Sequence, residues 1–137
     1  MKRAITASAL ALACAATCMA LTPSAFAAPQ ACVVSSLTTG GYEGVGSIRY
    51  KSSTSSCSDL NLTYSDDSTS IHGDRYAGRL RNSSGVWRTC NKGYVWASDG
   101  NHSVNDSTYW LCTAVADGTP FTVASQYDGG DSVKITH

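Results

Sequence analysis

The stretch that decides the fold runs from Val86 to Val115. It contains three short runs rich in aromatic and β-branched residues: Val86-Trp87-Arg88-Thr89-Cys90, Gly93-Tyr94-Val95-Trp96-Ala97 and Tyr109-Trp110-Leu111-Cys112-Thr113-Ala114-Val115. Gly, Asn and Asp residues separate these runs. Such a pattern is typical of strands joined by turns. The stretch therefore predicts a β-meander, stapled by a disulfide between Cys90 and Cys112.

The first 27 residues have the pattern of a cleavable secretory signal. Met1-Lys2-Arg3 is positively charged, Ala4 to Leu21 carries no charge, and Ala25-Phe26-Ala27 places small residues where signal peptidase reads them. Pro23 and the lack of a stop-transfer pattern argue against a membrane anchor. We expect a signal peptide at 1–27, a single domain at 28–137 and a secreted, extracellular product.

The domain that remains is small and nearly neutral. Its 110 residues suit one domain, and eight basic residues stand against ten acidic ones. Dedicated nucleic-acid binders and membrane-surface binders normally carry a strong basic excess. The composition therefore argues against both kinds of partner.

Four cysteines remain after signal cleavage, namely Cys32, Cys57, Cys90 and Cys112. An even number in a small exported chain is typical of disulfides, and three pairings are possible. We favour Cys32 with Cys57 and Cys90 with Cys112, because each pair then joins nearby strands through a short loop. No Cys-x-x-Cys spacing supports zinc.

Short runs with a period of two follow one another along the whole domain, and no amphipathic helical stretch interrupts them. Alternation between residues 74 and 81 places Tyr76 and Leu80 on one face and the arginines on the other. We predict an all-β fold, a single antiparallel β-sandwich (immunoglobulin-like) of about eight short strands, with a small β-barrel as the alternative. The predicted strands are 31–37, 44–51, 60–64, 74–80, 86–90, 94–97, 107–115, 121–124 and 132–136.

No catalytic motif stands out. The histidines are His72, His102 and His137, of which the last is expected to be mobile, and no serine lies in a Gly-x-Ser-x-Gly elbow. Calcium ligation by Asp128-Gly129-Gly130-Asp131 and by Asp66-Asp67 is conceivable, but neither matches a known calcium-loop spacing, so tight turns are favoured. We expect a protein that is not an enzyme and that has no metal or other cofactor.

Two features indicate a binding surface. If Val95 points inward, Tyr94 and Trp96 form an exposed aromatic platform; in the alternative they belong to the core, where at least two tryptophans are expected. The second feature is a set of five basic residues on predicted outer faces, which suits an acidic partner or simply a solvated sheet face. The predicted basic set is Arg49, Lys51, Arg75, Arg79 and Arg81.

Several runs resemble those of small secreted β-proteins of filamentous actinobacteria, namely Arg75-Tyr76-Ala77-Gly78-Arg79-Leu80, Gly93-Tyr94-Val95-Trp96 and Asp117-Gly118-Thr119-Pro120. In export, size and general character the chain resembles the small adaptor subunit of umbrella toxin particles, which implies bridging a lectin subunit to a toxin stalk. It is also similar to tendamistat-type α-amylase inhibitors, which present a Trp-Arg-Tyr triplet. Here the triplet is incomplete, as Trp87-Arg88-Thr89 and Ile48-Arg49-Tyr50.

The resulting hypothesis is a secreted, non-catalytic protein-binding module whose partner is another extracellular protein. An adaptor in an extracellular assembly and an inhibitor of a foreign hydrolase are two versions of it. A carbohydrate-binding module is the further alternative, and no contact with nucleic acid, or with a membrane after signal cleavage, is expected.

Overall fold

The computed structural model describes residues 31–54 and 56–137. In this part of the chain, short strands follow one another with one 3-10 helix, Ser107–Tyr109, between them. The predicted signal peptide lies outside the described residues. The strands are β1 Val34–Thr38, β2 Arg49–Tyr50, β3 Leu60–Asp66, β4 Gly73–Arg81, β5 Trp87–Thr89, β6 Val95–Ser98, β7 Gly100–Asn101, β8 Trp110–Cys112, β9 Pro120–Ser125 and β10 Ser132–Thr136.

The strands form two antiparallel sheets. In the front sheet the order is β1-β10-β3, and β7 and β8 both pair with β3. In the back sheet the order is β2-β9-β4, and β5 and β6 both pair with β4. Neither sheet closes on itself, so the predicted β-sandwich is confirmed and the barrel alternative is not.

The core lies between the two sheets. Leu60 and Leu62 of β3 face Tyr76 of β4 and Phe121 of β9 across it, and all four side chains are fully buried. Each buried side chain of this size contributes about 1.5–3 kcal/mol relative to exposure. Tyr76 and Phe121 supply the large rings that the core needs.

The expectation of two buried tryptophans is therefore wrong. Trp87 and Trp110 are only half-buried, and Trp96 is 47% exposed.

The disulfides pair as the sequence favoured, Cys32 with Cys57 and Cys90 with Cys112. Cys90 follows β5 of the back sheet and Cys112 ends β8 of the front sheet, so this bridge joins the two sheets. Gly78 makes room for it, because a Cβ there would lie 2.4 Å from the Cys112 Sγ.

The meander predicted for residues 86–115 is wrong. β5 and β6 both add to β4, whereas β8 adds to β3 in the other sheet. The strand predicted at 107–115 is reduced to Trp110–Cys112, because Asp106 caps a 3-10 turn before it and Ala114 adopts a φ of 51° after it. The chain thus crosses between sheets within this stretch.

The sequence suggested that His137 is mobile, and this is wrong. His137 is buried, with 2% of its surface exposed. Its backbone extends the β1–β10 ladder through two hydrogen bonds with Val33, of 2.8 and 2.9 Å. Its imidazole contacts Ser35, Ser52 and the edge of the Phe121 ring. Tertiary contacts thus hold a residue whose sequence position suggested fraying.

Among the described residues, no helix is long and apolar enough to cross a membrane. Two disulfides are compatible with an extracellular protein, because such bonds persist in oxidising compartments.

Candidate interaction surface

The five basic residues predicted to share an exposed surface are separated by the fold. Lys51 is only 3% exposed, so its predicted exposure is wrong. Its backbone pairs with the turn at 116–119, since Lys51 N–H donates to the Thr119 carbonyl and Gly118 N–H donates to the Lys51 carbonyl. The Lys51 ammonium donates to the Ser52 carbonyl at 2.8 Å. Lys51 therefore holds two chain segments together.

Arg79 is also buried, at 6% exposure, although its side chain lies on the predicted outer face. Residues 40–46, here called the covering loop, cross the back sheet above it. Arg79 donates to the carbonyls of Glu43 and Gly44 and forms an ion pair with the Glu43 carboxylate at 3.2 Å. The Arg79 Nε donates to the Thr89 hydroxyl at 3.2 Å. The predicted contact role of Arg79 is therefore corrected to a role in fastening the covering loop.

The covering loop begins at the edge of β9. Gly40 N–H donates to the Val123 carbonyl at 3.0 Å, and Ser125 N–H donates to the Gly40 carbonyl at 2.8 Å. From there the loop reaches Tyr94, whose hydroxyl accepts the Glu43 N–H at 2.8 Å. The loop thus covers the middle of the outer face of the back sheet.

Tyr94 and Trp96 have different environments. Val95 packs against the core, which places both rings on the outer face, as in the first of the two sequence alternatives. Tyr94 is half-buried and stacks on Tyr42 with ring centroids 5.3 Å apart. Burial raises the pKa of Tyr94, and the nearby Glu43 carboxylate adds to this. Trp96 stays exposed and lies opposite the exposed Arg75 in the β4–β6 register.

This outer face therefore offers an exposed aromatic patch, defined by Tyr42, Arg75 and Trp96. Tyr94 is half-buried and stacks against the Tyr42 ring, so it contributes less exposed surface to the patch. Tyr42 could not be assigned to this face from the sequence, because the covering loop that carries it reaches the face only in the folded protein.

Arg81 lines a separate cleft of about 530 Å³ beside the Cys90–Cys112 bridge. Arg88 of β5 and Lys92 of the β5–β6 connection also line it, together with the half-buried Trp110 of β8. No carboxylate is among the described residues that line this basic cleft. Arg88 pairs with Leu80 and shares its face of the back sheet, whereas Arg81 pairs with Trp87 and points to the other face. Arg88 and Lys92 are therefore the main cations of the cleft, and Arg81 lies at its border.

The geometry of the basic cleft follows from the bridge between the sheets. Arg88 and Lys92 flank Cys90 by two residues, and Trp110 precedes Cys112 by two. Once the two cysteines are joined, these side chains must lie near one another. The sequence carried this signal, but the basic set predicted from strand faces included only Arg81.

Arg49 lies elsewhere. It is exposed at a second cleft of about 440 Å³, which Tyr64 and Lys134 also line. The Lys134 ammonium lies 5.2 Å above the centroid of the Tyr64 ring. The structure thus places Arg49, Arg75 and Arg81 at three different sites.

His102 contacts a serine hydroxyl, as His137 does. His102 Nε2 lies 2.9 Å from the Ser65 hydroxyl, which is buried and also donates to the Ser98 carbonyl. The His102 ring stacks on Tyr109 at 4.2 Å, and burial lowers the pKa of His102. These contacts tie β3 to the segment that follows β7.

No protein-family model matches this chain, and neither a curated protein nor a solved structure does.

Proposed function

We propose that this chain is a secreted, non-catalytic protein-binding module whose basic cleft takes up an acidic segment of another extracellular protein. The observation that carries the proposal is a cleft lined by Arg88 and Lys92, with Arg81 at its border, and with no carboxylate among the described residues that line it. Such an arrangement favours an acidic partner and speeds its approach. Trp110 adds an aromatic surface of the kind that anchors interfaces.

The cleft is well suited to tight binding because its walls are preorganised. The Cys90–Cys112 bridge ties one wall to the other. Lys92 donates to the Ser107 carbonyl, and Arg81 Nε donates to the Gly85 carbonyl at 3.2 Å. Less conformational entropy is lost on binding when the contact groups are already held.

The adaptor version is supported by the presence of a second surface. The exposed aromatic patch lies on the outer face of the back sheet and shares no residue with the lining of the basic cleft, and an adaptor must hold two partners at once. In this version the chain joins two larger subunits of an extracellular assembly, such as a toxin particle. An inhibitor of a foreign hydrolase needs only one of the two surfaces.

The test is binding of a synthetic acidic peptide, ten residues of alternating Glu and Gly, followed by NMR amide shifts and titration calorimetry. We expect shifts centred on Arg88 and Trp110, and binding that weakens with added salt. Arg88→Glu should weaken binding at least tenfold, because it reverses an exposed cation of the cleft. Lys134→Glu, at the second cleft, is the matched control and should bind as the native protein does. Equal loss in both variants, or shifts confined to the Lys134 side, would contradict the proposal.

A second experiment separates the versions. The adaptor should co-elute from culture medium with larger chains under gentle conditions, and Trp96→Ala should release one of them while Arg88→Glu releases another. An inhibitor should be recovered alone and should block a hydrolase. A carbohydrate-binding module should be retained on polysaccharide and released by Trp96→Ala.

A further inference from the structure

Four aspartates converge at one end of the sandwich, between the two sheets. Asp67 follows β3, Asp74 is the second residue of β4, and Asp128 and Asp131 belong to the β9–β10 connection. One carboxylate oxygen each from Asp67, Asp128 and Asp131 lie within 4.8 Å of one another. Asp74 and Asp131 are fully buried, and Asp67 is nearly so.

Most of the cluster is held in place by backbone donors. Asp67 Oδ1 accepts the Thr69 N–H at 2.7 Å, and Asp131 Oδ1 accepts the Ser68 N–H at 2.9 Å. Asp74 Oδ2 accepts the Tyr127 N–H at 3.3 Å. The carboxylates are therefore positioned before any ligand arrives.

Three buried oxygens of this region nevertheless have no hydrogen-bond partner: Asp131 Oδ2, Asp128 Oδ1 and the hydroxyl of Tyr76. Tyr76 is fully buried in the core and belongs to the same face of β4 as Asp74. Buried polar atoms without partners are rare in folded proteins, and an ordered water or a bound ion is a usual explanation for them.

The negative charge of the cluster is not balanced by a basic side chain. Among the described residues, the ion pairs are His72 with Asp99 and Arg79 with Glu43, and neither includes a member of the cluster. Carboxylates packed this closely need a cation or a shared proton.

We propose that Asp67, Asp128 and Asp131 form a calcium site, with Asp131 Oδ2 and Asp128 Oδ1 as ligand atoms and Asp74 adding negative charge beside them. Oxygen ligands without His or Cys select a hard cation over zinc. Oxygens on opposite sides of Ca²⁺ are separated by about 4.6–5.2 Å, and those around Mg²⁺ by about 4.0–4.2 Å. One oxygen from each of the three carboxylates lies within 4.8 Å of the others, which is close enough for a single ion of either kind. Calcium is favoured because it accepts irregular sets of oxygen ligands, whereas Mg²⁺ demands near-ideal octahedral geometry and gives up its water reluctantly.

The backbone between two of the ligands supports the site. Gly130 has a φ of 97°, a conformation that favours glycine and lets the chain turn back between Asp128 and Asp131. Calcium there would join the β3–β4 connection to the β9–β10 connection. Each of these connections runs from one sheet to the other. The ion would stabilise the folded domain in the extracellular medium.

The test uses the protein with both disulfides formed, stripped with EDTA and titrated with CaCl₂ or MgCl₂ in a calorimeter. We expect one saturable calcium site, at least tenfold tighter than magnesium binding. At a calcium concentration ten times the Kd, Tm should rise by about 5 °C. Absence of calcium heat and of any Tm change up to 10 mM CaCl₂ would overturn the proposal and leave a shared proton as the remaining explanation.

Asp131→Asn tests the ligand directly, because it keeps the size of the side chain and an oxygen that can accept the Ser68 N–H. We expect at least a tenfold loss of calcium affinity. In EDTA, the same variant should melt at or above the native Tm, since it removes like-charge repulsion. Asp117→Asn, at an exposed position in the turn after β8, is the control and should keep the native calcium response. An unchanged response in Asp131→Asn would reject this site, and if the variant does not fold, the native titration decides alone.

Discussion

Replacement of His137 by alanine should destabilise the domain strongly, although sequence position suggested a mobile residue. The Ser52 backbone N–H donates to His137 Nδ1 at 2.9 Å, so this nitrogen must be unprotonated. Nε2 then carries the proton and donates to the Ser35 hydroxyl at 2.9 Å. The imidazole therefore links the start of β1 to the segment after β2.

The size of the effect follows from these two contacts. Loss of the bond to Ser35 removes about 1 kcal/mol, and leaving the Ser52 N–H without a partner costs about 1–3 kcal/mol. Loss of the edge contact with Phe121, at a centroid distance of 5.0 Å, acts in the same direction. We expect His137→Ala to lower the free energy of unfolding by about 2–4 kcal/mol.

Urea denaturation followed by circular dichroism at pH 7.5 measures this change. His72→Asn is the control, because the His72 side chain is 81% exposed and asparagine tolerates its φ of 62°. The control should change the free energy of unfolding by less than about 0.5 kcal/mol. A loss below about 1 kcal/mol in His137→Ala, or an equal loss in both variants, would refute the reasoning.

The same contacts set a pH dependence. Burial lowers the pKa of His137, and the Lys51 ammonium adds to this. In the unfolded chain the imidazole takes up a proton near its ordinary pKa of 6.5, whereas the folded protein resists protonation because Nδ1 is an acceptor. The contribution to stability is therefore full above pH 6.5 and is lost as the pH falls below 6.5 toward the lowered pKa. His137→Ala should lose this component of the pH profile, and an unaltered profile would contradict the assignment.

Three further predictions concern the packing of the sandwich. Gly78→Ala should cost about 1–3 kcal/mol in urea denaturation, because its Cβ would lie 2.4 Å from the Cys112 Sγ, and a neutral effect would show that the bridge moves freely. Replacing Cys90 and Cys112 together by serine should cost about 3 kcal/mol for a sequence separation of 22, measured against the native protein under oxidising conditions. Arg79→Met should cost about 2–3 kcal/mol and speed amide exchange around Glu43, because it removes the donors that hold the covering loop; native exchange rates there would contradict this.

Much of the fold was predictable because period-two alternation is a local property. Leu60 and Leu62 in β3, and Val133 and Ile135 in β10, are buried as their spacing indicates. Disulfide pairing was also predictable, since short loops close readily. The meander was not, because alternation marks a strand without naming its neighbour, and the Cys90–Cys112 bridge joins different sheets.

The candidate sites were only partly predictable. Arg79 was placed on the correct face, but the covering loop that buries it comes from more than 30 residues away in the sequence. The aspartates at 67, 128 and 131 were read as turn residues, and only the fold brings their oxygens within 4.8 Å.

Taken alone, the sequence determined the all-β class and favoured the cysteine pairing that the structure shows, because both depend on spacing along the chain. It also determined which face of β4 carries arginine. The tertiary structure alone decided that Lys51 and Arg79 are covered and that no tryptophan enters the core. Burial and clustering depend on contacts between residues far apart in the sequence, and alternation along a single strand carries no information about them.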